Sequence, residues 1–259
     1  MRPQAIFFDI DGTLVSFKTH SIPVSAKTAI NRLKDMGIKV FIATGRAFHD
    51  IVNLEDLEFD GIIASNGAYC VDSMDNIIAQ FYLSKESLRR LALYLEEKPF
   101  SCDFMTNKGN FINYVDDMTL SISQLVNIPI PQVKPVSEII ELDVFQLGAF
   151  VDLERETELL THVLTDCNSS RWHPSFADFN AKNCNKAAGV DAFCEYFGID
   201  KKLTMAFGDG GNDISMLKQV AVGIAMGNST EEVKSVADYV TGSVEDDGIV
   251  NALKRFNVL

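Results

Sequence analysis

AIFFDIDGT, at residues 5–13, is the stretch that decides the fold. Its first four residues are apolar, and acids and a glycine follow them. A short apolar run that ends in this way is typical of a strand buried on both faces of a parallel sheet. Asp9 and Asp11 then project to the same side at the carboxyl end of this strand, while Gly12 lets the chain turn away. Two carboxylates held together repel each other, so the arrangement indicates a metal site or an acid/base pair. Taken alone, it is also typical of a solvated turn.

Length and charge limit the classes of fold and partner. The chain has 259 residues, enough for one large α/β domain or two unequal ones. Its formal net charge of −13 would repel a phosphodiester backbone or an anionic bilayer, so we predict neither a nucleic-acid nor a membrane partner. An anionic substrate would have to be bound by local cations. The oligomeric state leaves no signal in the sequence.

Cysteine and histidine spacing argues against a soft metal site. The five cysteines form no Cys-x-x-Cys pair, and the four histidines have no metal-binding spacing. The chain enters its first strand within about five residues without a signal peptide, and no apolar run approaches the ~20 residues of a membrane span. These features predict a cytoplasmic protein in a reducing compartment.

Short apolar runs alternate with amphipathic helical patterns, which predicts crossover connections and a parallel sheet. Ser25 or a neighbour is expected to cap the first helix, and Gly37 to end it. Four further core strands are predicted, at residues 38–43, 61–64, 203–207 and 222–226. Each ends in polar or glycine residues. Because ligands of open parallel sheets bind at that edge, we expect these loops to converge on one crevice.

The middle of the chain, residues 84–181, has a different pattern. Ser84 is placed to cap a helix there, and further helical and strand-like runs predict a second small α/β unit. This unit interrupts the first between its third and fourth strands. We therefore predict the α/β class, with a Rossmann-like parallel-sheet core formed by residues 1–83 and 182–259 and an α/β domain inserted at 84–181.

The loop GDGGND, residues 208–213, matches neither a dinucleotide fingerprint nor a phosphate loop. It carries Asp209 and Asp213 across a glycine turn, and alone it is typical of a capped helix start. Together with Asp9 and Asp11 it would bring four acids to one edge of the sheet, which requires a divalent cation. Oxygen ligands without cysteine or histidine select Mg²⁺ over zinc.

Two further positions fit a phosphate site. Lys186 begins a predicted helix, where a cation is unfavourable unless anions face it, because the amino end of a helix is itself positive. Lys182 is the alternative, and spacing alone does not separate the two lysines. Thr44 ends a strand before a glycine and has a hydroxyl that can donate to a phosphoryl oxygen. Alone, it is typical of a capping residue.

Taken in order, these motifs resemble the four motifs of the haloacid dehalogenase (HAD) superfamily of phosphotransferases. They are Asp9-Ile-Asp11-Gly-Thr13, Thr44-Gly-Arg46, Lys186 and Gly208-Asp209-Gly-Gly-Asn212-Asp213. The insertion, preceded by Ser65-Asn66-Gly67-Ala68, is similar to that of the Cof-type sugar phosphatases with an α/β cap, class IIB. The resemblance spans the whole chain. It departs from the family at Ala187, where a glycine usually follows the lysine.

The resemblance implies the chemistry of the two amino-terminal acids. Asp9 would attack phosphorus and form an aspartyl-phosphate, while Asp11 would protonate the leaving alkoxide and then deprotonate water. Mg²⁺ would be held by Asp9, Asp11 and Asp209, with Asp11 offering its backbone carbonyl. Different surroundings would then keep one carboxyl ionised and let the other hold a proton. Asp213 would orient Lys186 or a metal-bound water.

The resemblance also implies which residues meet the substrate. Thr44 and Asn212, with Gly45 and Arg46, would bind the phosphoryl group, and Lys186 would offset charge between it and the nucleophile. The substrate would be a small phosphorylated metabolite such as a hexose phosphate.

Other readings of the function and of the inserted unit remain open. The alternative reactions are a phosphomutase or phosphotransferase using the same aspartyl-phosphate, and a non-catalytic Mg²⁺- or phosphate-binding regulator. In the inserted unit, Arg171 and His173 lie in an aromatic and basic segment that either contacts a sugar hydroxyl or forms a half-buried strand.

Overall fold

The computed structural model of the protein describes residues 2–51, 54 and 57–259. The first part of the chain forms β1 (Ala5–Phe8), α1 (Val24–Asp35), β2 (Lys39–Ala43), β3 (Gly61–Ala64), β4 (Tyr69–Asp72) and β5 (Ile77–Gln80). The middle forms α2 (Lys85–Glu97), β6 (Cys102–Thr106), β7 (Gly109–Ile112), α3 (Asp117–Val126), β8 (Gln132–Val133), α4 (Val136–Ile139), β9 (Val144–Ala149), α5 (Leu153–His162), β10 (Cys167–His173) and β11 (Phe176–Ala181). The last part forms α6 (Lys186–Phe197), β12 (Thr204–Gly208), α7 (Ile214–Gln219), β13 (Val222–Ala225), α8 (Glu231–Val236), β14 (Tyr239–Val240) and α9 (Gly248–Arg255).

These elements divide into two compact units. One consists of Met1–Ala79 together with Asn185–Leu259, and the other of Gln80–Cys184. The insertion predicted at 84–181 lies inside the second unit, whose ends extend three to four residues further on each side.

The first unit is built on a sheet with the strand order β14-β13-β12-β1-β2-β3-β4-β5, counted over the described residues. The pairs from β14 to β3 are parallel, and β4 turns back antiparallel to β3. The predicted α/β class with a parallel-sheet core is confirmed. Since β1 lies in the middle of this sheet, its carboxyl end adjoins those of β2 and β12.

The alternation of side chains along β1 explains its position. Ile6 and Phe8 pack into one apolar cluster with residues of α1 and α9, whereas Ala5 and Phe7 pack into another with residues of α6 and α7. All four are fully buried. The apolar run therefore forms a strand covered on both faces, as its sequence predicts.

Some helix ends follow the local signals in the sequence, and the start of α1 does not. Gly37, at φ +75°, follows α1, Gly198, at φ +65°, ends α6, and the Ser84 hydroxyl accepts a hydrogen bond from the Ser87 amide at the start of α2. The expectation that Ser25 or a neighbour caps α1 is wrong, because the helix already begins at Val24, after Pro23, and no side-chain hydrogen bond caps it. The Ser25 hydroxyl instead donates to Asp247.

The second unit has its own sheet, ordered β10-β11-β9-β6-β7-β8 in the part of the chain that is described. Its pairs are antiparallel except β7 with β8. One face of this sheet packs against α2 and α5 in a separate apolar cluster. Across the residues that the structure covers, no helix combines the length and the apolar character needed to cross a bilayer.

Candidate active site

Asp9 directly follows β1 and is joined to the start of α6 by an ion pair. Its Oδ1 accepts a hydrogen bond from Lys186 Nζ at 2.7 Å, and the same ammonium group donates to Asp213 Oδ1 at 2.6 Å. Lys186 is fully buried and Asp9 is 5% exposed. Lys186 thus lies between two carboxylates, which explains why a cation is stable at the positive end of a helix.

Asp213 also closes the loop that carries it. Its Oδ2 accepts hydrogen bonds from the backbone amides of Asp209 and Gly210, both at 2.9 Å. With Oδ1 bonded to Lys186, both oxygens of this carboxylate have protein donors. This arrangement suits a group that orients the lysine and the loop.

Asp209 follows β12 and is held by two side chains. Thr13 Oγ1 donates to its Oδ1 and Asn228 Nδ2 to its Oδ2, both at 3.0 Å. Asn228 Nδ2 also donates to the Gly12 carbonyl at 2.9 Å, which ties this carboxylate to the loop after β1. A Cβ atom at Gly12 would lie 2.2 Å from Asp209 Oδ2, and Gly12 has φ +82°, so close approach and backbone geometry both require glycine.

The carboxylates of Asp9, Asp209 and Asp213 form one cluster, each offering an oxygen within 4.8 Å of the others. Burial, and next repulsion from Asp213, raise the pKa of Asp9 from its ordinary 3.8 to about 7. Burial and repulsion from Asp9 raise the pKa of Asp209 well above its usual range. Burial opposes the charge of Lys186, but the two anions beside it raise its pKa. The cluster therefore lacks positive charge.

The size of that deficit fits a divalent cation. When all three acids are ionised, Lys186 neutralises one of them and two negative charges remain. The donors are carboxylate oxygens without cysteine or histidine, which suits a hard cation. Asp9 and Asp209 are the members of the cluster best placed to hold it. Asp213 Oδ2 already accepts two backbone amides and its Oδ1 is paired with Lys186, whereas each oxygen of Asp209 accepts one neutral donor and keeps a lone pair.

Asp11 has a cation of its own. Arg46 donates from Nε to Asp11 Oδ2 at 2.7 Å and from its terminal nitrogen Nη2 to Oδ1 at 2.6 Å, which makes a two-point ion pair. The Arg46 side chain is 4% exposed and that of Asp11 is 24% exposed. The carboxylate of Asp11 is thus bound to Arg46, which is consistent with the prediction that only its backbone carbonyl meets a metal. Arg46, predicted to contact substrate, binds Asp11 here.

The loop after β2 brings the predicted phosphate ligands together. Thr44 is 1% exposed, and its Oγ1 accepts a hydrogen bond from the Arg46 amide at 3.1 Å. A Cβ atom at Gly45 would lie 3.3 Å from Asn212 Nδ2, so the loops after β2 and β12 pack closely. Thr44, Gly45, Arg46 and Asn212 therefore occupy one edge of the sheet, at the carboxyl ends of parallel strands.

The ambiguity between the two lysines has a structural answer. Lys186 reaches Asp9 and Asp213, whereas Lys182 is exposed and belongs to the second unit. Ala187 follows in the first turn of α6, so the departure from glycine does not displace the lysine.

Arg171 and His173 lie on β10. Arg171 Nε donates to Glu156 at 2.7 Å, and its Nη1 donates to the carbonyls of Val151, His173 and Pro174. His173 Nδ1 accepts from an amide at 3.2 Å, so the neutral ring carries its proton on Nε2. These bonds support a structural role for Arg171 in the second unit, and substrate contact by either residue stays a prediction.

Sequence reasoning missed two residues that hold Asp209, namely Thr13 and Asn228. Asn228 follows β13, so it comes from the same kind of strand end as the predicted ligands. Thr13 lies within the opening motif but was assigned no role. The sequence pattern places both residues at the carboxyl edge of the sheet, but it does not indicate that their side chains contact Asp209.

Comparison with known proteins agrees with this geometry. A family model described as haloacid dehalogenase-like hydrolase matches residues 6–253. Among solved structures, the chain is similar to a sugar phosphatase of HAD subclass IIB, with 39% identity and a TM-score of 0.94. That match covers 99% of this chain and 100% of the other.

Two relatives from Bacillus subtilis extend the comparison. YkrA, provisionally named a phosphatase, is 31% identical over 268 residues, and the match covers 100% of both chains. The 5-amino-6-(5-phospho-D-ribitylamino)uracil phosphatase YcsE is 27% identical over 258 residues, covering 98% of this chain and 95% of that protein.

Proposed function

Because this chain belongs to the haloacid dehalogenase-like hydrolases and is a phosphatase, we propose that it hydrolyses sugar phosphates with Mg²⁺ through an aspartyl-phosphate on Asp9. One observation carries this proposal. The carboxylate that follows β1 is paired with a fully buried lysine inside a cluster that lacks positive charge. Such a cluster is costly for stability and is useful for binding a cation together with a phosphate.

In the first step, a carboxylate oxygen of Asp9 bonds to phosphorus while the bond from phosphorus to the sugar oxygen breaks. Asp11 gives its proton to that oxygen, so the sugar leaves as an alcohol. Lys186 favours the ionised form of Asp9 against the opposing effects of burial and Asp213, it orients the carboxylate, and its charge attracts the phosphoryl group. Thr44 and Asn212 donate hydrogen bonds to the phosphoryl oxygens.

In the second step, Asp11 takes a proton from water, and the water oxygen bonds to phosphorus as the bond to Asp9 breaks. The two-point ion pair with Arg46 holds the carboxylate of Asp11 in place for this step. Contact of Arg46 with the substrate stays a prediction.

Asp9, Asp209 and the backbone carbonyl of Asp11 would hold the Mg²⁺ ion. Once bound, this ion supplies positive charge that draws the phosphate to the nucleophile and offsets charge in the transition state. The remaining contributions come from the chain's own donors and from Lys186.

The substrate class rests on the solved relative that is named a sugar phosphatase. YcsE acts, by its name, on a phosphorylated ribityl compound, which also carries its phosphate on a polyol chain. We therefore propose that the substrates are small phosphorylated metabolites of this chemical class. We further propose that residues of the second unit, including Arg171 and His173, determine which of these metabolites is accepted. The five cysteines are buried and form no Cys-x-x-Cys pair, which supports our proposal of a reducing cytoplasmic location.

A substrate panel tests the proposed reaction. Incubation with hexose, pentose and polyol phosphates in Mg²⁺ should release inorganic phosphate, and excess chelator should abolish that release. Ca²⁺, which is larger and accepts more ligands, should bind but support little turnover. Full activity in excess chelator would refute the metal assignment. Phosphate passing to a second sugar faster than to water would identify a phosphotransferase instead.

Mg²⁺ is also expected to stabilise the fold more as the pH rises. The folded protein holds the Asp9 proton up to about pH 7, whereas the unfolded chain releases it near pH 3.8. The metal-free protein should therefore lose stability as the pH rises between these values, while the ionised cluster binds cations better. At a hundredfold excess over Kd the gain is about 2.7 kcal/mol, or roughly 5 to 10 °C in Tm for a chain of this size. Thermal unfolding with and without Mg²⁺, at pH 5 and at pH 8, measures this shift in Tm.

Asp209→Asn is the matched variant for this measurement. It keeps the shape of the side chain but removes one negative charge, so the Tm shift caused by Mg²⁺ should nearly disappear. A shift of equal size at both pH values, or one retained in Asp209→Asn, would show that the ion binds elsewhere.

A further inference from the structure

The turn Ser65-Asn66-Gly67, directly after β3, has an unusual backbone. Its three residues have φ values of +49°, +54° and +100°, and the first two are not glycine. Ser65 is 1% exposed and Asn66 is 3% exposed. Left-handed backbone at non-glycine residues costs free energy, and it persists only where the surrounding structure imposes it. The contacts of this turn show what imposes it.

Backbone hydrogen bonds join the turn to the loop after β2. The Asn66 amide donates to the Thr44 carbonyl at 2.9 Å, and the Ser65 amide donates to the Arg46 carbonyl at 2.8 Å. Both ends of the Thr44–Arg46 segment are therefore fixed by consecutive amides of the turn. A strand continued in extended conformation would point these two amides in opposite directions.

The side chain of Asn66 reaches the loop after β12. Its Oδ1 accepts a hydrogen bond from Asn212 Nδ2 at 3.0 Å. A phosphoryl oxygen can only accept hydrogen bonds, so Asn212 serves it only if Nδ2, and not Oδ1, faces that way. The acceptor on Asn66 selects this orientation of the amide, and Nδ2 keeps a second hydrogen to donate.

The third residue of the turn meets the start of α6. A Cβ atom at Gly67 would lie 2.3 Å from the Asn185 carbonyl oxygen. Asn185 caps α6 by accepting a hydrogen bond from the Ala188 amide, and Lys186 follows it. The turn thus contacts all three elements that carry the proposed phosphate ligands: the Thr44 loop, Asn212 and the lysine helix.

We propose that this turn is a positioning element of the phosphate site, and that Asn66 orients the amide of Asn212 toward the phosphoryl group. The inference rests on the proposed function, in which Asn212 binds phosphate. Asn66 itself is a positioning residue, because it acts through Asn212.

A double-mutant cycle tests this role. Asn66→Gly removes the acceptor while glycine adopts the left-handed backbone without strain. It should lower kcat/KM for a hexose phosphate by about tenfold and raise the Ki of inorganic phosphate in parallel, the size expected for a lost hydrogen bond. In Asn212→Ala the amide that Asn66 orients is already gone, so adding Asn66→Gly should cause no further loss. Asn257→Gly, at an exposed left-handed position with φ +53°, is the matched control and should keep full activity.

Thermal unfolding of Asn66→Gly shows that the variant is folded. Additive losses in this cycle, measured with folded protein, would overturn the inference and leave Asn66 with a purely structural role. If the wild type released no phosphate, or if Asp9→Asn retained activity, the proposed function would fail instead, so the two failures are distinguishable.

Discussion

Asp9→Asn is expected to abolish turnover of sugar phosphates, with a loss of roughly 10⁴- to 10⁶-fold, as for other removed nucleophiles. The amide has the size of the carboxylate but cannot form the covalent acyl phosphate. Lys186 keeps its bond to Asp213 at 2.6 Å, so no buried cation is left unpaired. Phosphate release measured over hours at high enzyme concentration gives the residual rate.

The fold of this variant should survive. Burial and the negative charge of Asp213 both disfavour the ionised form of Asp9, so removing this carboxylate relieves repulsion. Without metal, the free energy of unfolding should stay within about 1 kcal/mol of the wild-type value. Asp75→Asn is the matched control, because Asp75 is exposed and its φ of +61° suits asparagine equally. A rate near that of wild type, in protein whose intact mass excludes deamidation, would place the nucleophile elsewhere.

The position of the site could be predicted because its signals are local. An apolar run such as Ala5–Phe8, ended by acids and glycine, specifies a buried strand and its carboxyl end from neighbouring residues alone. Parallel pairing then brings the ends of β1, β2 and β12 to one edge, whatever the details of side-chain packing. Hence Asp9 and Asp209 are found where the pattern puts them, whereas the pattern left Lys186 and Lys182 open and only the structure separates them.

The direction of long side chains could not be predicted. Arg46 is 35 residues from Asp11 in sequence, and nothing in the spacing tells whether its guanidinium group binds that acid or a substrate. Arg171 presents the same problem, since its partner Glu156 lies on a helix of the same unit. A flexible side chain chooses among charges brought near by the fold, so its partner follows from tertiary structure.

The link between Asn66 and Asn212 was hidden for another reason. Ser-Asn-Gly is typical of a turn, and that much is local. The two asparagines are 146 residues apart, with the whole second unit between them in the chain. Their hydrogen bond depends on the strand order of the sheet, which the sequence pattern leaves open.

Asp11→Asn is expected to separate the two steps of the reaction. Asparagine keeps the backbone carbonyl but can neither protonate an alkoxide nor deprotonate water. With a sugar phosphate, whose leaving group is a strong base, the first step should slow by roughly 10²- to 10⁴-fold. Nitrophenolate leaves without a proton, so p-nitrophenyl phosphate should give a burst of about one nitrophenolate per active site and then stall, with phosphate on Asp9. Rapid mixing measures the burst of nitrophenolate, and labelled phosphate followed on the protein measures the aspartyl-phosphate.

The ion pair with Arg46 sets the control for this variant. The asparagine oxygen can keep one of the two hydrogen bonds with Arg46, but the negative charge is gone. The free energy of unfolding should therefore fall by about 1 to 3 kcal/mol. This is less than for a fully buried pair, because Asp11 is 24% exposed. Asp60→Asn weakens a more exposed ion pair, with Lys39 at 2.9 Å, and should produce no burst. The comparison between leaving groups within one variant cancels any loss of folded protein, because both substrates meet the same enzyme. Equal losses on both substrates without a burst, in a variant that binds Mg²⁺ normally, would therefore remove Asp11 from the acid/base role.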